Sequence, residues 1–170
     1  MGDDALMLAD FISRPKSLLV APAGYGKTHS IVECLKFTEG TQLILTHTHA
    51  GVASLKEKIK KSGASSKIFQ VETIDSYAQK YVEAFYTGTD MPEQDESSQY
   101  FPFIRKKAVQ IIKRRQVKEI IASTYNGVFV DEYQDCTSDQ HQLVLALSDV
   151  LPTHILGDSL QGIFGFNLLS

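Results

Sequence analysis

The sequence predicts an α/β domain in three layers, a mostly parallel central sheet flanked by helices, and two observations carry that expectation. Short apolar runs bounded by Gly, Pro or polar residues keep giving way to longer stretches with helical spacing. The runs, at residues 18–21, 43–45, 68–71, 128–130 and 154–156, are too short and too uniformly apolar for half-exposed strands. Each is therefore expected to be covered on both faces of a sheet, with the intervening helices doing the covering. At 170 residues the chain is expected to form a single domain.

Taken in order, the first run leads into a small-residue segment and a helix expected over 28–37, and the second into a helix over 50–61. The third precedes a helix over 74–86. Residues 87–98 are dominated by Gly, Pro, Ser and acidic side chains without periodicity, so they are expected to form a surface loop. A long helix is expected over 102–123 before the fourth run. In the last helix, 138–150, Leu143, Leu147, Val150 and Leu151 keep one face apolar, and Thr137 or Ser138 supplies a cap.

Composition removes several function classes. With 43% hydrophobic and 22% charged residues the chain is too apolar for disorder, and no run approaches the ~20 apolar residues that cross a bilayer. Cys34 and Cys136 form neither a disulfide framework nor a metal knuckle. The acidic first ten residues lack the basic start and apolar core of a signal peptide, so a cytoplasmic setting is expected. A net charge of −3 argues against wholesale coating of nucleic acid but leaves a local groove open.

The strongest chemical signal is Ala21, Pro22, Ala23, Gly24, Tyr25, Gly26, Lys27 and Thr28, running on to His29, placed after a strand and at the start of a helix. Small residues let successive backbone N–H groups close around an anion, and the helix N-terminus adds partial positive charge. Lys27 can then reach the outer phosphates of a nucleotide, and the Thr28 hydroxyl can hold magnesium. His29 stands where a dinucleotide fingerprint wants a third small residue, so that reading loses. A second signal lies 104 residues after Lys27, where an apolar strand ends in Asp131 and Glu132. Asp131 is a candidate magnesium ligand, and Glu132 is a candidate base for an attacking water. An acidic start to the next helix is the plainer account of the same pair.

These residues resemble the first RecA-like domain of superfamily 1 helicases of the UvrD, Rep and PcrA kind, a P-loop NTPase fold. Five ordered segments carry the resemblance, from about residue 18 to 167. Residues 21–28 are similar to AGAGSGKT, 45–49 stand where the family has LTFTN, and 73–77 stand where it has TFHSF. Residues 131–135 read DEYQD, and 157–166 resemble GDxxQSIYxF. The resemblance implies ATP and Mg²⁺ at Lys27, Thr28, Asp131, Glu132 and Gln161, the last as sensor of the terminal phosphate. It implies single-stranded DNA, or its junctions with duplex, at His47, Thr48, His49, Thr73, Asp75, Phe164 and Phe166, since an aromatic face accepts any base.

The chain departs from the family pattern at several places. His47 replaces a Phe, His49 an Asn, Asp75 a His, and Asn167 an Arg. Ala5 stands at the distance where the family keeps an adenine-reading Gln. Asp131 lies only 54 positions after Tyr77, so the family's helical insertion is expected as a remnant over about 85–125. The second RecA-like domain, a partner in the family, has no counterpart, which suggests a fragment of a longer protein. Seven basic residues between Ile104 and Ile121 are read as a solvated helix face, with a backbone-contacting patch as the functional version. A nucleotide-dependent switch and a non-catalytic interaction module of the same fold stay open beside the helicase reading.

Overall fold

The computed structural model describes residues 3–20, 26–63 and 68–158. Five parallel strands form one sheet in the order β1-β5-β4-β2-β3, where β1 is Lys16–Val20, β2 Gln42–Thr46, β3 Phe69–Thr73, β4 Gly127–Val130 and β5 Thr153–Gly157. All five expected strands are present. β4 pairs with β2 on one side and β5 on the other, and β5 with β1.

Strand periodicity sorts the core into two layers. Leu43, Leu45, Val128, Val130 and Ile155 point to one face, and Ile44, Phe129 and Leu156 to the other. The second face is covered by α1 (Asp3–Ser13), α2 (Lys27–Cys34) and α3 (His49–Lys61) through Leu8, Phe11, Ile31, Val32, Leu55 and Ile59. The first is covered by α4 (Ile74–Phe85), α5 (Ser97–Ile112), α6 (Arg115–Thr124) and α7 (Ser138–Ser148). Connections that step across the sheet from β1 towards β3 carry their helices on one face, and those that step back carry them on the other. All four crossovers therefore share one hand, as twisted parallel sheets require.

Three features differ from the sequence expectation. Strands β1 and β3 are the two edges, so Leu18 and Val20 are 40% and 44% exposed and Gln70 is exposed as well, instead of each strand being covered on both faces. Helix α1 is not expected from the sequence, because its apolar stripe consists of little more than Leu8, Phe11 and Ile12; the surface it packs against supplies the order. The long helix over 102–123 is two helices. α5 starts a turn and a half early, around buried Tyr100, with Pro102 inside it. The break comes at Arg114, which is extended (ψ 136°) and donates to the Phe85 carbonyl at the end of α4. α7 starts as expected, with a Thr137–Gln140 capping box. Among the described residues no helix is long and apolar enough to cross a membrane.

His154 sits on β5 between the rings of Phe11 and Phe129, with ring centroids 5.4 and 5.1 Å away, and shares a 2.7 Å hydrogen bond with Ser17 Oγ. It is 2% exposed, and burial pushes its pKa down to about 4. The unfolded chain binds this proton near pH 6.5 while the fold refuses it, so stability falls as pH drops from about 6.5 to 4, by about 3 kcal/mol in total. Urea unfolding across that window measures the slope. His154→Asn, whose amide can still meet Ser17, should flatten it; an equal slope in the variant would assign the pH dependence to other groups.

Candidate active site

In a parallel sheet every strand delivers its following loop to the same edge. Here that edge receives Gly26, Lys27 and Thr28 after β1, His47, Thr48 and His49 after β2, Thr73 and Asp75 after β3, Asp131 and Glu132 after β4, and Asp158 after β5. Residues scattered over the whole sequence thus meet along one rim. Ala21, Pro22, Ala23, Gly24, Tyr25, Gln161, Phe164 and Phe166 lie outside the described residues.

Gly26 caps α2 in the left-handed region at φ 78°, a conformation that costs a β-carbon-bearing residue strain and glycine none. That turn places Lys27 at the first helical position, where it is 6% exposed. Its ammonium donates to Glu132 Oε2 at 2.8 Å. Thr28 follows, half-buried, and His29 is exposed. A buried ammonium beside the amides of a helix start is suited to an anion richer in oxygen than one carboxylate.

Asp131 directly follows β4, its N–H donating to the Leu45 carbonyl at 2.9 Å and its Oδ1 accepting from the Glu132 N–H at 3.0 Å. It is 4% exposed; burial first and the Glu132 charge second push its pKa up to about 6. A carboxylate kept this dry is under-compensated and fits a divalent cation. Glu132 has φ 51° and ψ 44°, the one left-handed non-glycine among the described residues. Strain of this kind persists where the surrounding contacts over-determine it. Burial pulls the Glu132 carboxyl upward, but hydrogen bonds from Gln134 and Lys27 outweigh it and hold the group below its ordinary value. Glu132 is thus ionised at neutral pH.

The rim beyond β2 and β3 is built differently. Thr48 Oγ1 accepts from the Gly51 N–H at 3.0 Å and caps α3, leaving Thr48 and His49 exposed. Thr73 is 4% exposed, and its hydroxyl caps α4 by accepting from the Ser76 N–H at 3.0 Å. His47 is half-buried, its Nε2 3.6 Å from Cys136 Sγ; burial lowers its pKa, and Asp135 and Asp75 only partly offset this. Cys136 is pushed up to about 12 by burial, which makes it an inert thiol.

Asp75 receives both Arg105 Nε and a second guanidinium nitrogen at 2.7 Å, and Gln140 Nε2 at 3.1 Å. The sequence groups Arg105 with a solvated basic face; the structure turns it inward to lock α5 onto α4 and α7. Arg105→Ala is expected to lower stability by about 1–3 kcal/mol, because a half-buried carboxylate loses its charged partner. Adding Asp75→Ala should restore part of that loss, and strict additivity of the two in urea titration would show that the pair is not coupled.

Gln134 and Asp158 lie in segments that the sequence pattern marks, but the pattern assigns neither a role. Gln134 donates Nε2 to Glu132 Oε2 at 2.7 Å, and its Oε1 accepts from the Asp158 N–H at 2.9 Å. Only the fold reveals this, since Asp158 lies 24 positions away.

The chain is similar to several known proteins. The chain is 29% identical over 91 residues to an ATP-dependent helicase/nuclease of Lactococcus lactis subsp. lactis (strain IL1403), a match spanning 53% of the chain and 8% of that protein. It is 28% identical over 100 residues to the exonuclease/helicase protein RexA of Lactococcus lactis subsp. cremoris (strain MG1363), spanning 58% of the chain and 8% of the relative. The chain thus corresponds to a small part of these relatives. Among solved structures, an arterivirus nonstructural protein 10 helicase in complex with DNA superposes with a TM-score of 0.48 at 16% identity, covering 92% of this chain and 31% of that one. The profile of the AAA domain family matches residues 5–167, nearly the whole chain, and with Lys27 and the Asp131–Glu132 pair on one sheet edge, the chain belongs to that family of P-loop, helicase-type domains.

Proposed function

We propose that the chain is the ATP-binding core of a UvrD-like superfamily 1 DNA helicase or translocase that couples ATP hydrolysis to movement on single-stranded DNA. The observation that carries the reading is the 2.8 Å contact between Lys27 and Glu132, which brings the phosphate-binding and water-activating candidates into one site. Lys27 and the start of α2 would bind the outer phosphates, and Thr28 and Asp131 would hold Mg²⁺. Bound there, the ion would neutralise charge on the phosphate oxygens. Glu132 accepts a proton from water as its oxygen attacks the terminal phosphorus; the bond from that phosphorus to the bridging oxygen breaks, and ADP leaves with the electron pair. Gln161 would sense the terminal phosphate.

In this reading single-stranded DNA would run along the same rim past exposed Thr48 and His49, with His47, Thr73 and Asp75 as further candidate contacts and Phe164 and Phe166 as candidate stacking faces. The chain's place in the longer protein would be beside a second RecA-like domain that completes the site. ATPase measured with and without single-stranded DNA, on the protein that carries this domain, tests the reading. Stimulation is expected, and ATPase indifferent to DNA would favour a nucleotide switch instead. Phe166→Ala should weaken single-stranded DNA binding by ~1 to 3 kcal/mol and leave nucleotide affinity nearly unchanged.

A further inference from the structure

Glu132 and Asp158 follow the neighbouring strands β4 and β5, and the side chain of Gln134 spans the gap between them. Its orientation is chemically determined. A carboxylate can only accept and a backbone N–H can only donate, so the amide nitrogen must face Glu132 and the amide oxygen must face Asp158. The 3-10 turn at Tyr133–Asp135, closed by the Asp135 N–H on the Glu132 carbonyl at 3.0 Å, folds the Gln134 side chain back to reach both. Lys27 and Gln134 donate to the same oxygen, Oε2. An incoming phosphate competes for the Lys27 ammonium, whereas the Gln134 amide stays committed to Glu132.

We propose that Gln134 is a positioning residue: it keeps the Glu132 carboxylate aimed once Lys27 turns to nucleotide, and it ties the aim of that carboxylate to the tip of β5. The assignment rests on the ATPase reading above and extends it. Without the amide, a left-handed Glu132 has no described side-chain donor left to orient it when phosphate occupies Lys27. The carboxylate then samples rotamers pointing away from the attacking water. A misplaced base lowers turnover and leaves nucleotide affinity alone, because Gln134 is not one of the groups assigned to the phosphates.

Two variants separate the two ends of the bridge. Gln134→Ala removes both, whereas Gln134→Glu keeps an acceptor for the Asp158 N–H but sets a second carboxylate against Glu132. Hydrogen exchange of the Asp158 amide reads the β5 end without any need for catalysis, with Leu156 on the same strand as the internal control. Gln134→Ala is expected to speed Asp158 exchange at least tenfold and to lower kcat at least tenfold, with the affinity for a fluorescent ATP analogue within twofold of wild type. Gln134→Glu should retain Asp158 protection and lose kcat to a similar extent. Unchanged Asp158 exchange in Gln134→Ala, full turnover in either variant, or loss of analogue binding in step with turnover would each overturn the assignment. A wild type without Lys27-dependent hydrolysis would overturn the ATPase reading instead, and the exchange arm would still decide whether the bridge exists.

Discussion

Lys27→Ala is expected to reduce nucleotide affinity by ~100-fold or more and to abolish turnover. The lysine is 6% exposed at the first position of α2, so its charge acts in a partly dehydrated setting where bonds to phosphate oxygens are stronger than in water. No other cation hydrogen-bonds to Glu132 among the described residues, and so none stands ready to take over that place. The fold should survive, because the apolar contacts of α2 run through Ile31, Val32 and Cys34, which the substitution leaves in place. Titration of a fluorescent ATP analogue alongside a thermal scan separates loss of the site from loss of the domain. Wild-type affinity in a folded variant would remove Lys27 from the phosphate site.

Glu132→Gln should lower turnover by ~10²- to 10⁴-fold, the usual worth of a positioned general base, while nucleotide affinity stays within a few-fold. The amide is nearly isosteric with the carboxylate. Its oxygen can still accept from Lys27 at the 2.8 Å position and from Gln134, and its side chain makes no new demand on the left-handed backbone. What disappears is the capacity to take a proton from water. Phosphate release at saturating ATP, measured on the protein that carries this domain, gives kcat; analogue titration gives affinity. Equal turnover in variant and wild type would assign water activation to another group, whereas parallel loss of binding would mean that Glu132 shapes the phosphate site itself.

Much of the architecture was legible from local pattern. Apolar runs such as those in β2, β4 and β5 were legible because a strand buried on both faces has no exposed positions that call for alternating polar residues. The helix after Thr137 was legible for an equally local reason, a cap followed by an apolar stripe. The placement of Lys27, Asp131 and Glu132 on one rim followed as well, since parallel strands put all their outgoing loops on the same side.

What no local pattern could carry is the pairing of groups far apart in the chain. Whether β1 lies inside the sheet or at its edge depends on strand order, and apolar Leu18 and Val20 look the same in either place. Helix α1 exists because Phe129 and His154 offer a surface to Phe11, a condition written more than a hundred residues later. The break between α5 and α6 has no Gly or cap to announce it; it comes where Arg114 meets the carbonyl of Phe85. Asp75 gains Arg105 across 30 residues, and Gln134 gains Asp158 across 24. A side chain's polarity shows that it needs a partner, but which partner it finds is set only when helices and strands pack and bring distant donors and acceptors within about 3 Å.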